Sequence, residues 1–240
     1  MTAEPKIVGY QKWRKLLFLH WRVDPYALQE TLPAGLTVET FDGSAWLAVV
    51  PFSMEAVRPW WSPPVPGISW FLETNVRTYV RHDNGQSAVW FYSLDANHRL
   101  AVQIARRFWH LNYRSARLRL EATSQRQRFA GRLNDGTADY DIAANLPERT
   151  APRVADSGSL EEFLLERYHL LAQRPDGRFL VGQVHHAPYE WVPVEHVEVN
   201  QSLTDQVGIS LNQPPDHAAY SAGVDVQVSP LQLVHNSSQH

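Results

Sequence analysis

Four polar residues at alternate positions hold the most chemistry in this chain. They lie in Glu73-Thr74-Asn75-Val76-Arg77-Thr78-Tyr79-Val80. On a strand, successive side chains point to opposite faces, so Glu73, Asn75, Arg77 and Tyr79 share one face. Facing solvent, that pattern describes any half-exposed strand. Facing into a closed barrel, the same four groups line a cavity. A buried glutamate and arginine need partners, which makes Arg77, Asn75 and Tyr79 candidate ligand-binding residues and Glu73 a candidate for orienting the ligand. Arginine suits the planar capture of a carboxylate.

Other chemistry-bearing residues give weaker signals. Arg106 and Arg107 end a helical pattern running from Asn97 to Phe108, where the helix dipole alone favours cations. Arg106 follows Val102 and Gln103 at helical spacing and belongs at the edge of the buried face, which adds it to the ligand-binding candidates. His185-His186 and His196 suggest a metal only at first sight, because neighbours on a strand point apart and cannot chelate one ion. No metal site is expected. His185, if it faces a pocket, is a candidate proton carrier, and His186 is the alternative. Ser221 lacks a nucleophile elbow, and no P-loop, dinucleotide glycine fingerprint or zinc-protease spacing occurs. Nothing calls for a cofactor.

Lysine usage narrows the chemistry further. The chain has 19 Arg but three Lys, at positions 6, 12 and 15, and none from residue 16 onward. Arginine keeps its proton and forms no Schiff base, so imine chemistry is excluded from the body of the chain. There are no cysteines, which excludes disulfides, thiolate-bound metals and thiol nucleophiles and fits a reducing cytoplasm.

The elements that must position these residues read mostly as strands. Thr37–Phe41 and Ala45–Phe52 flank Asp42-Gly43 as one expected hairpin, and Phe71–Arg81 and Ser87–Leu94 flank Asp83-Asn84-Gly85 as another. Arg114–Ala122, Phe129–Leu133, Ala138–Ala143, Arg178–His185, Val192–Val199 and Val224–Val228 continue in the same way. Three helices are expected, from Asp24-Pro25, over Asn97–Phe108, and at the capping box Ser159-Leu160-Glu161-Glu162. The fold class is therefore α+β and β-dominated. Residues 1–234 are expected to form one domain and 235–240 a frayed tail.

With 240 residues, 44% of them hydrophobic and 27 aromatic, the chain can bury a large core. A net charge of −3 gives no basic face for nucleic acid. Leu16-Leu17-Phe18-Leu19 is ended by His20, far short of a membrane span. Trp60-Trp61-Ser62-Pro63-Pro64-Val65-Pro66-Gly67 puts two large apolar residues in a proline-rich loop suited to a protein contact, and a homo-oligomer is open.

Taken together, Phe18-Leu19-His20-Trp21, Leu32-Pro33-Ala34-Gly35-Leu36, Thr40-Phe41-Asp42-Gly43 with Ala45-Trp46, Asn75–Val80, Trp90–Ala96, Glu166-Arg167-Tyr168, Val184-His185-His186 and Tyr220–Val226 resemble the bacterial YqjF-like family, DUF2071. The likeness runs from about residue 13 to residue 228. It implies the acetoacetate decarboxylase-like fold, a cone-shaped, mostly antiparallel β-barrel with a few flanking helices. Those decarboxylases carry a Gly-Arg-Glu-x-x-Gly-x-Pro-Lys motif, whose matching stretch here is Ala105–Tyr113. The resemblance implies that Arg106 holds the motif's arginine, that Tyr113 replaces its Schiff-base lysine, and that Glu73 stands for a cavity glutamate. It argues against decarboxylation by the Schiff-base route and adds Tyr113 to Glu73 and His185 as candidate catalytic groups.

The expected function is a small-molecule-binding barrel for an acidic or carbonyl ligand, acting as an enzyme or as a binder. The alternative is a non-catalytic scaffold that uses loop 60–67.

Overall fold

The computed structural model describes residues 6–100, 102–103, 109–211 and 213–234. Helices are few. Asp24 caps α1 (Pro25–Gln29) by accepting a hydrogen bond from the Ala27 amide at 2.9 Å. Ser159 caps α2 (Leu160–Leu165) through the Glu162 amide, and Glu162 reaches back to the Gly158 amide. Of the expected Asn97–Phe108 helix, 99–100 and 102–103 are helical, while Ala101 and 104–108 lie outside the described residues.

The rest is sheet. Its strands are β1 (Gly9–Val23), β2 (Leu36–Val38), β3 (Ala45–Pro59), β4 (Phe71–His82), β5 (Ser87–Ala96), β6 (Tyr113–Ala122), β7 (Arg126–Leu133) and β8 (Asp139–Asn145). They continue as β9 (His169–Gln173), β10 (Phe179–His185), β11 (Trp191–Pro193), β12 (Val197–Gln201), β13 (His217–Val228) and β14 (Gln232–Leu233). Pairing runs β5-β9-β10-β13-β1-β3-β4 and returns from β4 to β5, which closes a ring of seven strands. Every step in the ring is antiparallel except β5–β9. The expected β-dominated, barrel-like α+β fold is the one that forms. A second layer, β6-β7-β8-β12, branches from β5 through a short parallel pairing of Leu94–Ala96 with Tyr113–Ser115.

The ring wall is buried on both faces. Leu16, Phe18, Trp46, Ala48, Val50 and Phe52 pack inside. Leu17, Leu19, Trp21, Leu47, Val49 and Val76 pack outside against Phe129, Leu133, Tyr140 and Ile142 of the second layer. Strands covered on both faces lose the apolar–polar alternation. That is why Leu16–Leu19, a bare apolar run in the sequence, proves to be the middle of a 15-residue strand.

Two pairings differ from expectation. The segment at Thr37 pairs as β2 with the end of β4, not with β3, and only a Phe41–Ser44 bridge spans Asp42-Gly43. Val192–Val199 splits into β11, beside β13, and β12, beside β8. The β4–β5 hairpin forms as expected, and Gly85 at φ 91° supplies its left-handed turn residue.

Gly223 sets the phase of β13. Its φ is 133°, and a Cβ there would stand 2.0 Å from the Trp13 carbonyl oxygen. Before it, Ala219 points inward; after it, Val224, Val226 and Val228 do. The inward set thus changes from odd to even residues and places His217 and Ser221 on the inner face.

Candidate functional site

The inner face of β4 carries the four polar residues singled out by alternation. Tyr79 belongs to the inner cluster, whereas Val76 packs with the outer one, so Glu73, Asn75, Arg77 and Tyr79 all point into the ring. Each is nearly fully buried, at 3%, 4%, 8% and 0% exposure.

Glu73 meets Tyr113 there. The Tyr113 hydroxyl donates to Glu73 Oε2 at 2.9 Å. β4 pairs with β5 and β5 with β6, which brings two residues 40 apart in sequence together. No cation stands within ion-pair distance of Glu73 among the described residues. Burial pushes its carboxyl up to about 8, with the Asp95 charge adding to the rise and the Tyr113 hydrogen bond opposing it. At neutral pH Glu73 is therefore mainly a carboxylic acid with a proton to donate. Burial, and then Glu73, hold Tyr113 well above the usual phenol range.

Arg77 occupies the other end of the same face. Its Nη2 donates to the Leu164 carbonyl of α2 at 3.3 Å, and its guanidinium lies 5.6 Å from the Phe18 ring and 5.9 Å from the Tyr79 ring. Among the described residues no carboxylate lies within ion-pair distance, and Nε is buried without a partner. The Tyr79 hydroxyl also donates to Leu164, at 2.8 Å, so α2 stoppers this end of the ring. Between the two ends, Asn75 Oδ1 is buried without a partner as well.

Sequence reasoning missed two residues of this wall. His20 on β1 and His217 on β13 are register partners, and their Nδ1 atoms lie 3.0 Å apart. Register carries the row onward from His20 to Ala48 and from Ala48 to Arg77. Burial first, then His217 and Arg77, hold His20 well below the usual imidazole range. Burial lowers His217 too, with Glu161 opposing. The one sequence signal was a histidine at the end of an apolar run, and only strand register joins residues 197 positions apart.

The remaining candidates fall elsewhere. His185 Nε2 contacts Ser229 Oγ at 2.9 Å, and its neighbour Val184 is the residue that packs inward. His185 therefore faces away from Glu73 and Tyr113. His186 packs against Tyr168 and Tyr189, at 4.7 and 4.8 Å between ring centres, and His196 is exposed. Ser221 is buried on the inner face. Arg106, like Arg107, lies outside the described residues. Among the described residues no three acidic or histidine side chains gather where an ion would fit. Among the described residues no helix is long and apolar enough to cross a membrane.

With that geometry in view, comparison with known proteins settles the family. The model of the DUF2071 family, uncharacterized conserved proteins, matches residues 10–225. The chain belongs to this family. A relative, the uncharacterized protein YqjF of Bacillus subtilis, is 36% identical over 223 residues, 92% of this chain and 90% of its own. Among solved structures, acetoacetate decarboxylase from Legionella pneumophila superposes with a TM-score of 0.69 at 12% identity, covering 100% of this chain and 94% of that one. The enduracididine biosynthesis enzyme MppR complexed with pyruvate gives 0.62 at 12% identity, covering 99% and 94%. These likenesses show an acetoacetate decarboxylase-like fold.

Proposed function

We propose that the inside of the seven-stranded ring binds a small carboxylic or keto acid. The observation that carries this reading is Arg77, a guanidinium 8% exposed with no carboxylate partner among the described residues, on the same inward face as the Glu73–Tyr113 pair. A lone buried cation is costly unless an anion joins it. Arg77 Nε and Nη1 receive the ligand carboxylate. Glu73, protonated at neutral pH, donates its proton to the ligand's carbonyl oxygen while Tyr113 holds the other carboxyl oxygen in place. Asn75 sits between them to orient the ligand.

Arg77 and Glu73 are about 13 Å apart at Cα along β4, with Asn75 between them on the same face. Pyruvate in the complex with MppR, a protein of the same fold, supports the ligand class. With no lysine beyond position 15, the chemistry on hand is hydrogen bonding and proton transfer to a carbonyl group, not imine formation.

Calorimetric titration with pyruvate, acetate and acetone tests the reading. Pyruvate is expected to bind wild type, acetone is not, and Arg77→Gln should weaken pyruvate by at least about tenfold. Equal binding of acetone and pyruvate, or an unchanged affinity in Arg77→Gln, overturns it.

A scaffold reading has its own observation, since Trp60, Trp61 and Trp70 are 62%, 71% and 45% exposed. Light scattering of Trp60→Ala/Trp61→Ala decides it, and an unchanged assembly state rejects a contact role for the loop.

A further inference from the structure

Arg77 has one visible shortage as an anion site. The Tyr79 hydroxyl on the same face is already donating to the Leu164 carbonyl, as is Arg77 Nη2. One edge of the guanidinium fork meets only two of a carboxylate's roughly four lone-pair sites, so a second donor on the same wall completes the site. His20 stands two strands away in the same register row, separated from Arg77 only by the small Ala48. It is fully buried, its Nε2 has no partner, and the Phe18 ring that underlies Arg77 is stacked parallel to it at 6.3 Å.

The contact between His20 and His217 fixes what Nε2 can do. Two Nδ1 atoms at 3.0 Å need one N–H and one lone pair between them. Two neutral rings therefore take opposite tautomers: the donor through Nδ1 has a bare Nε2, and the acceptor carries its proton on Nε2. The groups facing the pair are Arg77 and Tyr79 from β4 and Glu161 from α2. Burial, then His217 and Arg77, favour the neutral form of His20, so it serves as a donor without adding a second charge.

We propose that His20 Nε2–H is the second arm of the anion clamp begun by Arg77, and that His217 is a positioning residue whose Nδ1–H holds His20 in that tautomer. The proposal rests on the carboxylate reading above and sharpens it, because the site then selects a carboxylate that meets a guanidinium and an imidazole N–H together. In this tautomer His217, whose Nε2 is likewise buried without a partner, has a bare Nε2 and donates nothing to a carboxylate.

Nitrogen-15 NMR of histidine-labelled wild type at pH 7, with and without pyruvate, reads the tautomers directly. The expected result is a neutral Nε2–H ring for His20 and a neutral Nδ1–H ring for His217 in the complex. Pyruvate titration of variants gives the second readout. His20→Phe should weaken binding about tenfold. His217→Val should match that loss, whereas His217→Asn, whose amide N–H can still donate to His20 Nδ1, should stay within about threefold of wild type.

A Nδ1–H or charged His20 in the complex, or wild-type affinity in His20→Phe, overturns the proposal and leaves Arg77-dependent carboxylate binding standing. Failure of pyruvate to bind wild type removes the carboxylate reading and this proposal with it. Should His20→Phe not fold, the spectra of wild type alone decide.

Discussion

The two faces of one barrel wall handle buried charge in opposite ways. On the outer face at β5, Asp95 is 1% exposed and held by Arg114 in a paired contact, Nε–Oδ1 at 2.6 Å and Nη2–Oδ2 at 2.9 Å, with Ser93 taking a further donor. On the inner face, among the described residues, Glu73 meets the Tyr113 hydroxyl and Arg77 a backbone carbonyl, and no opposite charge stands within ion-pair distance of either. One antiparallel step, from β4 to β5, separates these environments. The outer pair is complete within the protein, so it reads as structure. The inner groups are incomplete, and an incomplete polar group kept in a packed wall is where a ligand supplies the missing half.

The sharpest way to break this contrast is to undo the outer pair. Arg114→Met leaves Asp95 charged and buried, and the expected loss is about 3 kcal/mol, roughly 6–12 °C in melting temperature for a chain of this size. A loss near zero would mean that Asp95 stays protonated in the fold, in line with burial holding it above the usual carboxylate range despite Arg114. The contrast between the two faces would then disappear.

Glu73→Gln tests the inner face with the opposite sign. The folded carboxyl titrates at about 8, above its unfolded value of 4.5, so the fold binds the extra proton between those limits. Stability linked to Glu73 is complete below about 4.5 and is lost as pH rises towards 8. Glu73→Gln should match wild type at pH 4.5 and exceed it by about 4 kcal/mol at pH 8, read by urea unfolding at both pH values. His20 and His217 tilt the other way: their folded values lie below 6.5, so their share of stability is present above 6.5 and is lost as pH falls. Wild type should therefore be most stable between the two limbs, in mildly acidic solution. A profile that rises steadily to pH 8 would contradict the assignment of Glu73.

Arg77→Met is expected to keep or raise stability by about 1 kcal/mol while abolishing pyruvate binding. Stability and binding moving apart at this one position is the signature of a group retained for a ligand. A parallel loss of both would make Arg77 a structural residue tied to α2 through Leu164.

Much of this site was legible in the sequence because β4 keeps strict alternation. Glu73, Asn75, Arg77 and Tyr79 fall on one face however the strand is packed, and the Asp83-Asn84-Gly85 turn bounds it. The caps at Asp24 and Ser159 are local and were equally plain. What escaped is whatever depends on register or on burial from both sides. β1 shows no alternation because the second layer covers its outer face, and His20 within it reads as the end of an apolar run. His217 is its partner only because β13 lies against β1 with a phase set at Gly223. His185 sits on a recognisable strand, but which face looks inward is decided by β13 and β9 beside it, and that face carries Val184.

The smallest expected effect is the most specific. Tyr113→Phe removes one hydroxyl and leaves the ring in place among Leu94, Phe71 and their neighbours of the inner cluster. The loss of one buried hydrogen bond should cost about 1 kcal/mol. The hydroxyl also favours the charged form of Glu73, so removing it should raise the Glu73 titration further and move the stability gap between Tyr113→Phe and Tyr113→Phe/Glu73→Gln to higher pH. Measuring that gap by urea unfolding across pH 5–9 separates two roles that a single stability value confuses. If the titration does not move, the Tyr113–Glu73 hydrogen bond does not govern the carboxyl, and Tyr113 drops out of the proton chemistry while Arg77 and its carboxylate stay. If it does move, the hydroxyl and the carboxyl act as one unit, and the end of the ring opposite Arg77 is a proton donor set by two strands rather than one.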